Sequence, residues 1–403
     1  MTPAAASPQR DSTIILLACA AFVSGAALRI GDPLIPRFAA DFAVTPGMAG
    51  RVIYAFSIAY GLMQLVYGPL GDRYGKPMLI CIALFGGAFA AAASALAPRF
   101  EILVGGRIVW GMAAAGIIPL GMAWIGDRVP YERRQATLAR FLTGTLSGMM
   151  AGQLVGGLFG DTAAGWRGAF LTMAVVYAVV GLLLLRHVRQ AAGATGPPVG
   201  TGATQSYGQR IAAVLRVRWA HVVLFAVLAE GIFLFGPLAY MPAYLHHRHG
   251  VSLSTAAALM MLWAGGGLLY ALAARRLVGA LGERRMVWLG GVLMGAGVIA
   301  WWISPLWVLA GPIALLVGFG TYLYHNTLQT HATQMAPTVR GTAVALFAFC
   351  LFGGQALGVL LAGITIDRVG FAPMLAVAAV ALTLSGLALA HALRRREQAQ
   401  KPQ

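Results

Sequence analysis

The chain consists almost entirely of apolar runs of about 20 residues separated by short polar breaks, and this pattern constrains its fold more than any other feature. A helix of that length crosses a hydrocarbon core of about 30 Å. Only 10% of the residues are charged, whereas a soluble domain carries about 25%. The sequence therefore predicts an all-α protein that crosses a membrane many times, and it excludes a soluble protein with a single anchor.

Twelve such runs can be delimited along the chain. The first run continues past Leu28 without a small-residue cleavage site, so we expect it to stay as a span and not to be removed as a signal peptide. The predicted transmembrane helices are residues 13–36, 48–70, 77–97, 101–125, 136–160, 168–186, 220–244, 253–275, 286–304, 306–327, 340–364 and 371–392.

The basic residues predict an orientation. If the N-terminus is cytoplasmic, 21 of the 29 lysines and arginines fall on the cytoplasmic side, and two, Arg29 and Arg107, lie within spans. Positive charge accumulates on the cytoplasmic side of membrane proteins. We therefore predict an inner (plasma) membrane protein with both termini in the cytoplasm. The net charge of +17 is then a topology signal and a contact for membrane lipids, and no binding of nucleic acid is expected.

The longest polar break divides six spans from six. It lies between Arg189 and Arg218 and is rich in glycine and proline, which is typical of a flexible linker. The predicted domains are a six-helix bundle over residues 1–188, a cytoplasmic linker over 189–218, and a second six-helix bundle with a short basic tail over 219–403.

The two halves also repeat one another. A set of residues around the fifth span recurs 206 positions later around the eleventh, which predicts two pseudo-symmetric bundles related by an axis along the membrane normal. The set is Arg134, Ala139, Phe141, Gly148, Gly152, Gly157 and Asp161, and its counterparts are Arg340, Ala345, Phe347, Gly354, Gly358, Gly363 and Asp367.

The loop after the second span reads Gly68-Pro69-Leu70-Gly71-Asp72-Arg73-Tyr74-Gly75-Lys76-Pro77. It resembles the signature G-x-x-x-D-R-x-G-R/K-R/K of the major facilitator superfamily, with Pro77 in place of the last basic residue. The resemblance implies that Gly68, Asp72, Arg73, Gly75 and Lys76 form a gating motif. Its glycines would allow close packing and a tight turn, and Asp72 would face the positive end of a neighbouring helix. The alternative is that Asp72 and Arg73 are solvated loop charges.

Two further strings resemble the same family. Gly105-Gly106-Arg107 in the fourth span is similar to a motif with a buried arginine, and the fifth span, from Gly148 to Gly157, is similar to the antiporter motif with Gln153 in place of proline. The resemblance covers essentially the whole chain and is closest to the drug/proton antiporter branch and its sugar-efflux-like relatives. It implies the twelve-helix major facilitator fold and export, although the glycines of the fifth span are equally explained by helix packing.

Acidic residues inside the spans are candidates for proton coupling, because a carboxylate is costly to place within a membrane. Of twelve acidic residues, Asp32 lies in the first span and Glu230 in the seventh. Arg29 precedes Asp32 by one helical turn, and Arg107 is expected at similar depth. Our leading hypothesis is a proton site of Asp32 with Arg107, supported by Arg29. The alternative is a permanent ion pair that only fixes helix packing.

Glu230 is expected to face a central cavity, as a second proton site or a contact for a cationic substrate; the alternative is a neutral, hydrogen-bonded structural acid. Other polar residues within spans are candidates to line the substrate cavity. A histidine near a helix end can instead reach the interface, and the glutamines can instead bridge helices. These candidates are Gln153, Tyr322, His325, Asn326 and Gln355.

The remaining features argue against an enzyme. The chain has no phosphate-binding G-x-x-x-x-G-K-S/T string, its three cysteines lie in apolar runs, and we expect no metal or cofactor. We predict a monomeric secondary transporter that exports a small lipophilic neutral or cationic compound in exchange for protons by alternating access, as in multidrug resistance. The rivals are a proton symporter or metabolite uptake carrier of the same fold, and a non-transporting scaffold or receptor.

Overall fold

The computed structural model describes residues 8–192 and 206–400, which form helices and turns without a strand. The helices of the first half are α1 (Pro8–Arg29), α2 (Ile35–Phe42), α3 (Pro46–Ala49), α4 (Arg51–Tyr74), α5 (Lys76–Ala95), α6 (Phe100–Ala114), α7 (Ile117–Arg128), α8 (Tyr131–Gly160) and α9 (Gly165–Ala192). Those of the second half are α10 (Tyr207–Leu215), α11 (Arg218–Glu230), α12 (Gly236–His249), α13 (Leu253–Ile303), α14 (Ala310–Gln334), α15 (Arg340–Val369) and α16 (Phe371–Gln400).

Ten stretches of the described chain are long and apolar enough to cross a membrane. One of them, α13, has 51 residues, which would extend for about 75 Å at 1.5 Å per residue. It bends at Gly282, where a φ of 68° and a ψ of 163° are not helical. This bend divides α13 into two helical segments. The twelve spans that hydropathy predicted require α13 to cross the membrane twice and α8, a helix of 30 residues, to cross it once. The all-α membrane fold is therefore confirmed.

The glycines of α8 allow this helix to pack directly against α1. Gly148 and Gly152 lie one turn apart on one face, and a Cβ at either would clash with the backbone of α1 at Phe22 or Ala26. In the second half, Gly354 and Gly358 of α15 approach the backbone of the seventh span at Leu228 and Ile232 in the same way. These backbone contacts position the neighbouring segments that carry Asp32 and Glu230.

Most of the described part of the predicted linker is helical. Helix α9 continues to Ala192, and α10 begins at Tyr207 after its N-cap Ser206, whose side chain accepts a hydrogen bond from the backbone N–H of Gln209 at 3.3 Å. The Gln209 side chain accepts from the Ser206 backbone in return, so the two residues form a capping box. Apart from Gly208, which lies in α10, the glycines and prolines of the predicted linker lie between 193 and 205, outside the described residues.

The loops identify the two ends of the bundle. The turn at Gly75 joins α4 to α5, and Lys76 in this turn contacts Asp127 at the end of α7, with Nζ 2.8 Å from Oδ2. Following the predicted orientation, we call this the inner end and the opposite one the outer end. Between them, the two halves meet along α8 with α13 and along α4 with α15.

Candidate functional site

The first span is interrupted where it carries its carboxylate. Helix α1 ends at Arg29, and Asp32 opens a 3-10 turn in which Pro33 has no backbone N–H to continue the helix. The Asp32 side chain is buried, and its Oδ2 accepts a hydrogen bond from Nη1 of Arg29 at 3.1 Å. Its Oδ1 has no hydrogen-bond partner among the described residues. One side of the carboxylate is therefore paired and the other is unsatisfied.

Arg107 does not form an ion pair with Asp32 in this conformation. Its Nε donates to the carbonyl of Val52 at 3.2 Å and its Nη2 to that of Ala27 at 3.4 Å, while its guanidinium lies 4.1 Å from the ring centroid of Phe56. It forms no ion pair within 4.0 Å with Asp32, and its Nη1 has no described partner. In this conformation the cation that pairs with Asp32 is Arg29, and Arg107 is held by backbone carbonyls.

Arg29 links the two halves of the protein. Its guanidinium carbon lies 5.1 Å from the ring centroids of both Phe235 and Trp263, which belong to the second half. The Trp263 indole in turn donates to the Thr321 hydroxyl at 3.2 Å. Attraction between a cation and an aromatic ring is strongest where water is excluded. The Arg29 guanidinium, which pairs with Asp32 in the first half, therefore also contacts aromatic side chains of the second half.

Glu230 forms the second buried acidic site. It ends α11 and is followed by a π-helical turn over Gly231–Phe235, a local widening that often occurs at functional sites. Its carboxylate is fully buried, and its oxygens lie 2.9 and 3.1 Å from Nδ1 of His325 on α14.

Sequence reasoning named Glu230 as a proton site and His325 as a cavity residue, and it missed the pairing of the two. The signal that could have found it is the presence of two titratable residues in apolar spans of the same half.

Two cavities lie between the halves and share Arg29, Met149 and Trp263 in their walls. The first also borders Asp32 and Gln153. The second also borders Tyr322, His325 and Gln355, which were predicted to line the substrate cavity. Asn326 is not among the lining residues of either, and its amide donates to the Tyr270 hydroxyl at 2.9 Å. Four of the five residues predicted to line the substrate cavity therefore border one of these two cavities.

The predicted gating motif lies at the inner end. Gly75 has a φ of 83°, a conformation that favours glycine, and Lys76 reaches Asp127 as described above. Arg73 is exposed, with its guanidinium 5.3 Å from the Tyr74 ring centroid. A Cβ at Gly68 would meet no described atom within 4 Å, so the close packing predicted there is not observed. The side chain of Asp72 lies outside the described part of the chain.

Comparison with other sequences supports the same architecture. The uncharacterised MFS-type transporter YceJ of Bacillus subtilis is 22% identical over 343 residues, which are 85% of this chain and 86% of YceJ. Efflux pump radE of Floropilus chiversii is 26% identical over 43% of this chain and 33% of its own length. The hexuronate transporter of Bacillus subtilis is 23% identical over 60% of this chain and 57% of its own. The match to another Bacillus subtilis relative, YybF, spans 40% of that protein.

Solved structures share the fold at low sequence identity. The nucleoside transporter NupG superimposes with a TM-score of 0.77 at 13% identity, covering 95% of this chain and 99% of NupG. The D-xylose-proton symporter gives a TM-score of 0.76 at 13% identity, covering 94% and 96%. The sequence model of the Major Facilitator Superfamily matches residues 17–359. With its two helical halves and the cavities between them, the chain belongs to the Major Facilitator Superfamily of membrane transporters.

Proposed function

We propose that this transporter exchanges protons for a small lipophilic neutral or cationic compound and exports it by alternating access. The observation that carries the proposal is the presence of two buried acidic sites, one in each half, bordering or adjoining cavities that the halves share. A buried carboxylate exchanges protons readily when its ionised form is only partly compensated, because desolvation then opposes its charge. Asp32, with one unpaired oxygen, meets that condition.

Arg29 supplies the proposed route from proton to conformation. Protonation of Asp32 removes the negative charge that faces Nη1 of Arg29 at 3.1 Å. The guanidinium then depends more on the aromatic rings of Phe235 and Trp263 in the second half. A change of charge in one half thereby alters the attraction between the halves. A ligand shifts the equilibrium between two conformations only if it binds one of them more tightly than the other. In this proposal the proton has such a preference, because the contact of Arg29 with the second half depends on the charge of Asp32.

The character of the substrate is inferred from the cavity walls. The cavity beside Asp32 has an apolar wall formed by Met149, Leu238 and Met260, which suits a lipophilic body. A carboxylate at its edge suits a neutral or cationic group that competes with the proton. Export is supported by the likeness to efflux pump radE over part of the chain and by the antiporter-like glycine motif of α8.

The test is transport into proteoliposomes that hold the purified protein under an imposed pH gradient, with ethidium as a lipophilic cationic probe. We expect gradient-driven flux in the wild type and its loss in Asp32→Asn and Glu230→Gln. Asp41→Asn is the matched control, because Asp41 pairs with Arg37 at 3.3 Å near the outer end, away from the cavity. The coupling proposal would be contradicted by ethidium flux that is independent of the pH gradient and unchanged in Asp32→Asn and Glu230→Gln.

A second candidate is a proton symporter for an organic acid, and one observation favours it. Arg29 lines both cavities, and its one described hydrogen bond is to Asp32, so further donors of its guanidinium remain for an anion. The hexuronate transporter among its relatives makes glucuronate a suitable probe. In this case a proton on Asp32 and an anion on Arg29 bind together, so flux runs with the proton. Glucuronate uptake down the proton gradient, lost in Arg29→Gln, supports symport, whereas ethidium flux against the proton flow supports antiport.

A further inference from the structure

Two carboxylates at the outer end of the bundle occupy equivalent positions in the two halves. Asp161 follows the last residue of α8, and Asp367 lies in the last turn of α15, 206 positions later. Neither belongs to the gating motif, the buried acidic sites or the cavities. Both contact the opposite half of the protein.

Asp161 binds the beginning of α13. Its Oδ1 accepts a hydrogen bond from the backbone N–H of Leu253 at 2.9 Å, and its Oδ2 accepts one from that of Ser254 at 2.8 Å. The first N–H groups of a helix have no partner within the helix, and they carry partial positive charge. A carboxylate that receives two of them forms charge-assisted hydrogen bonds, which are stronger than neutral ones.

Asp367 makes the equivalent contact in the opposite sense, from the second half to the first. Its Oδ1 accepts from the backbone N–H of Gly47 at 2.8 Å, and its Oδ2 accepts from the Thr45 hydroxyl at 2.6 Å. These residues begin the segment of α3 and α4. Gly47 and Leu253 are themselves 206 positions apart, so both donor and acceptor follow the internal repeat.

A glycine four residues before each aspartate brings the helices close enough for these short side chains to reach. A Cβ at Gly157 would lie 2.7 Å from the Leu253 carbonyl oxygen, and a Cβ at Gly363 would lie 2.9 Å from the Cα of Gly47. Residues four apart share one face of a helix. The pattern G-x-x-x-D therefore occurs once in each half. In each case the glycine packs against the beginning of a helix in the other half, and the aspartate accepts hydrogen bonds from the same helix beginning.

We propose that Asp161 and Asp367 are twin outer clamps that hold the two halves together at the outer end and release together when the cavity opens on that side. All four hydrogen bonds join different halves, so an outward opening of the halves must break them. Each clamp lies on one of the two lines where the halves meet, α8 with α13 and α4 with α15. Because the two clamps occupy equivalent positions, a rocking motion of the halves stretches the hydrogen bonds of both to the same extent.

The test measures the separation of the halves without substrate or proton gradient. Spin labels at Ala163→Cys and Val369→Cys, both exposed at the outer end, are placed in a chain whose Cys19, Cys81 and Cys350 are replaced by alanine. Pulsed electron paramagnetic resonance then gives the populations of short and long distances. We expect Asp161→Asn or Asp367→Asn to raise the ratio of open to closed molecules about tenfold, and the double variant about a hundredfold.

Glu101→Gln is the matched control, since Glu101 is an exposed acid in the first turn of α6 at the same end. It should leave the distance distribution unchanged. Wild-type distance distributions in both single variants and in the double variant would overturn the proposal. Thermal unfolding of each variant shows whether it is folded. Thr45→Val removes one hydroxyl donor to Asp367 without changing either carboxylate, and we expect it to raise the open population less than Asp367→Asn does. This outcome is independent of whether ethidium or glucuronate transport is coupled to protons.

Discussion

The two buried acidic residues differ in how completely they are paired. Both oxygens of Glu230 lie within hydrogen-bond distance of the His325 Nδ1 atom, whereas Asp32 has one oxygen on Arg29 and one without a described partner. Removing one partner of a buried pair leaves an uncompensated charge, which costs more than removing both. The two sites should therefore respond differently to substitution.

Replacing His325 by leucine should destabilise the protein by about 3 kcal/mol, because the Glu230 carboxylate would lose its one described side-chain partner in a fully buried position. The double variant with Glu230→Gln should recover part of that loss, since the charge is then gone. Thermal unfolding of the purified single and double variants measures the coupling. Strictly additive effects would contradict the pairing.

Gly75 in the inner loop should be sensitive to substitution because of its backbone conformation. Gly75 has a φ of 83°, and a Cβ is unfavourable at positive φ. We therefore expect Gly75→Ala to destabilise the fold by about 1 kcal/mol. Gly68→Ala is the control within the same motif, since Gly68 is helical and its Cβ would meet no described atom within 4 Å. The midpoints of thermal unfolding should fall for Gly75→Ala and remain equal or rise for Gly68→Ala.

At the scale of elements, close backbone contact between helices determines where the acidic residues lie. Helix α8 approaches α1 through Gly148 and Gly152, and the break after α1 then brings Asp32 to the boundary between the halves. In lipid, association of helices depends on packing at small residues, because apolar side chains gain nothing by leaving the hydrocarbon. The antiporter-like motif is therefore a packing surface here, whatever its further role.

Gly152→Leu should prevent this packing, since even its Cβ would clash with the Ala26 carbonyl. We expect loss of monodisperse protein in detergent or a fall in stability of several kcal/mol, as for overpacked cores. Gly105→Leu is the matched control, because a Cβ at Gly105 in α6 meets no described atom within 4 Å. Gel filtration and thermal unfolding of both variants provide the comparison, and equal behaviour of the two would contradict the packing argument.

For the whole molecule, closure of the outer end should be insensitive to pH in the neutral range. Burial raises the pKa of Asp161, but hydrogen bonds from Ser254, Leu253 and Ser252 outweigh it and hold the pKa below its usual value. A carboxylate with a depressed pKa stabilises the closed state fully above its ordinary pKa, about 3.9, and loses that contribution as pH falls through the depressed value.

The same spin-label distances, measured from pH 8 to pH 4, should therefore show no loss of closure that depends on Asp161. Its hydrogen-bond partners are the backbone amides of Leu253 and Ser254, which do not titrate in this range. The comparison is with Asp161→Asn, which lacks the titrating group. An opening with a midpoint near pH 6 that is present in the wild type and absent in Asp161→Asn would contradict this expectation.

Much of this architecture could be predicted from the sequence, because the signals involved are local. Hydropathy located the rods, the internal repeat indicated two related halves, and the rarity of acids within spans singled out Asp32 and Glu230. The turn at Gly75 was also predictable, since its glycine stands between a helix end and a proline-containing helix start. None of these inferences requires knowledge of how one helix is rotated against another.

The pairing of side chains was decided only by the tertiary structure. Arg29 and Arg107 were both candidates for Asp32, and in the structure Arg107 instead donates to the carbonyls of Val52 and Ala27. The pair of Glu230 and His325 and the contacts of Asp161 across the halves likewise depend on helix rotation and register. In a soluble helix an apolar stripe reveals the buried face, but a transmembrane helix is apolar toward both lipid and protein. Its sequence therefore determines that it spans the membrane, and only packing determines which side chains meet.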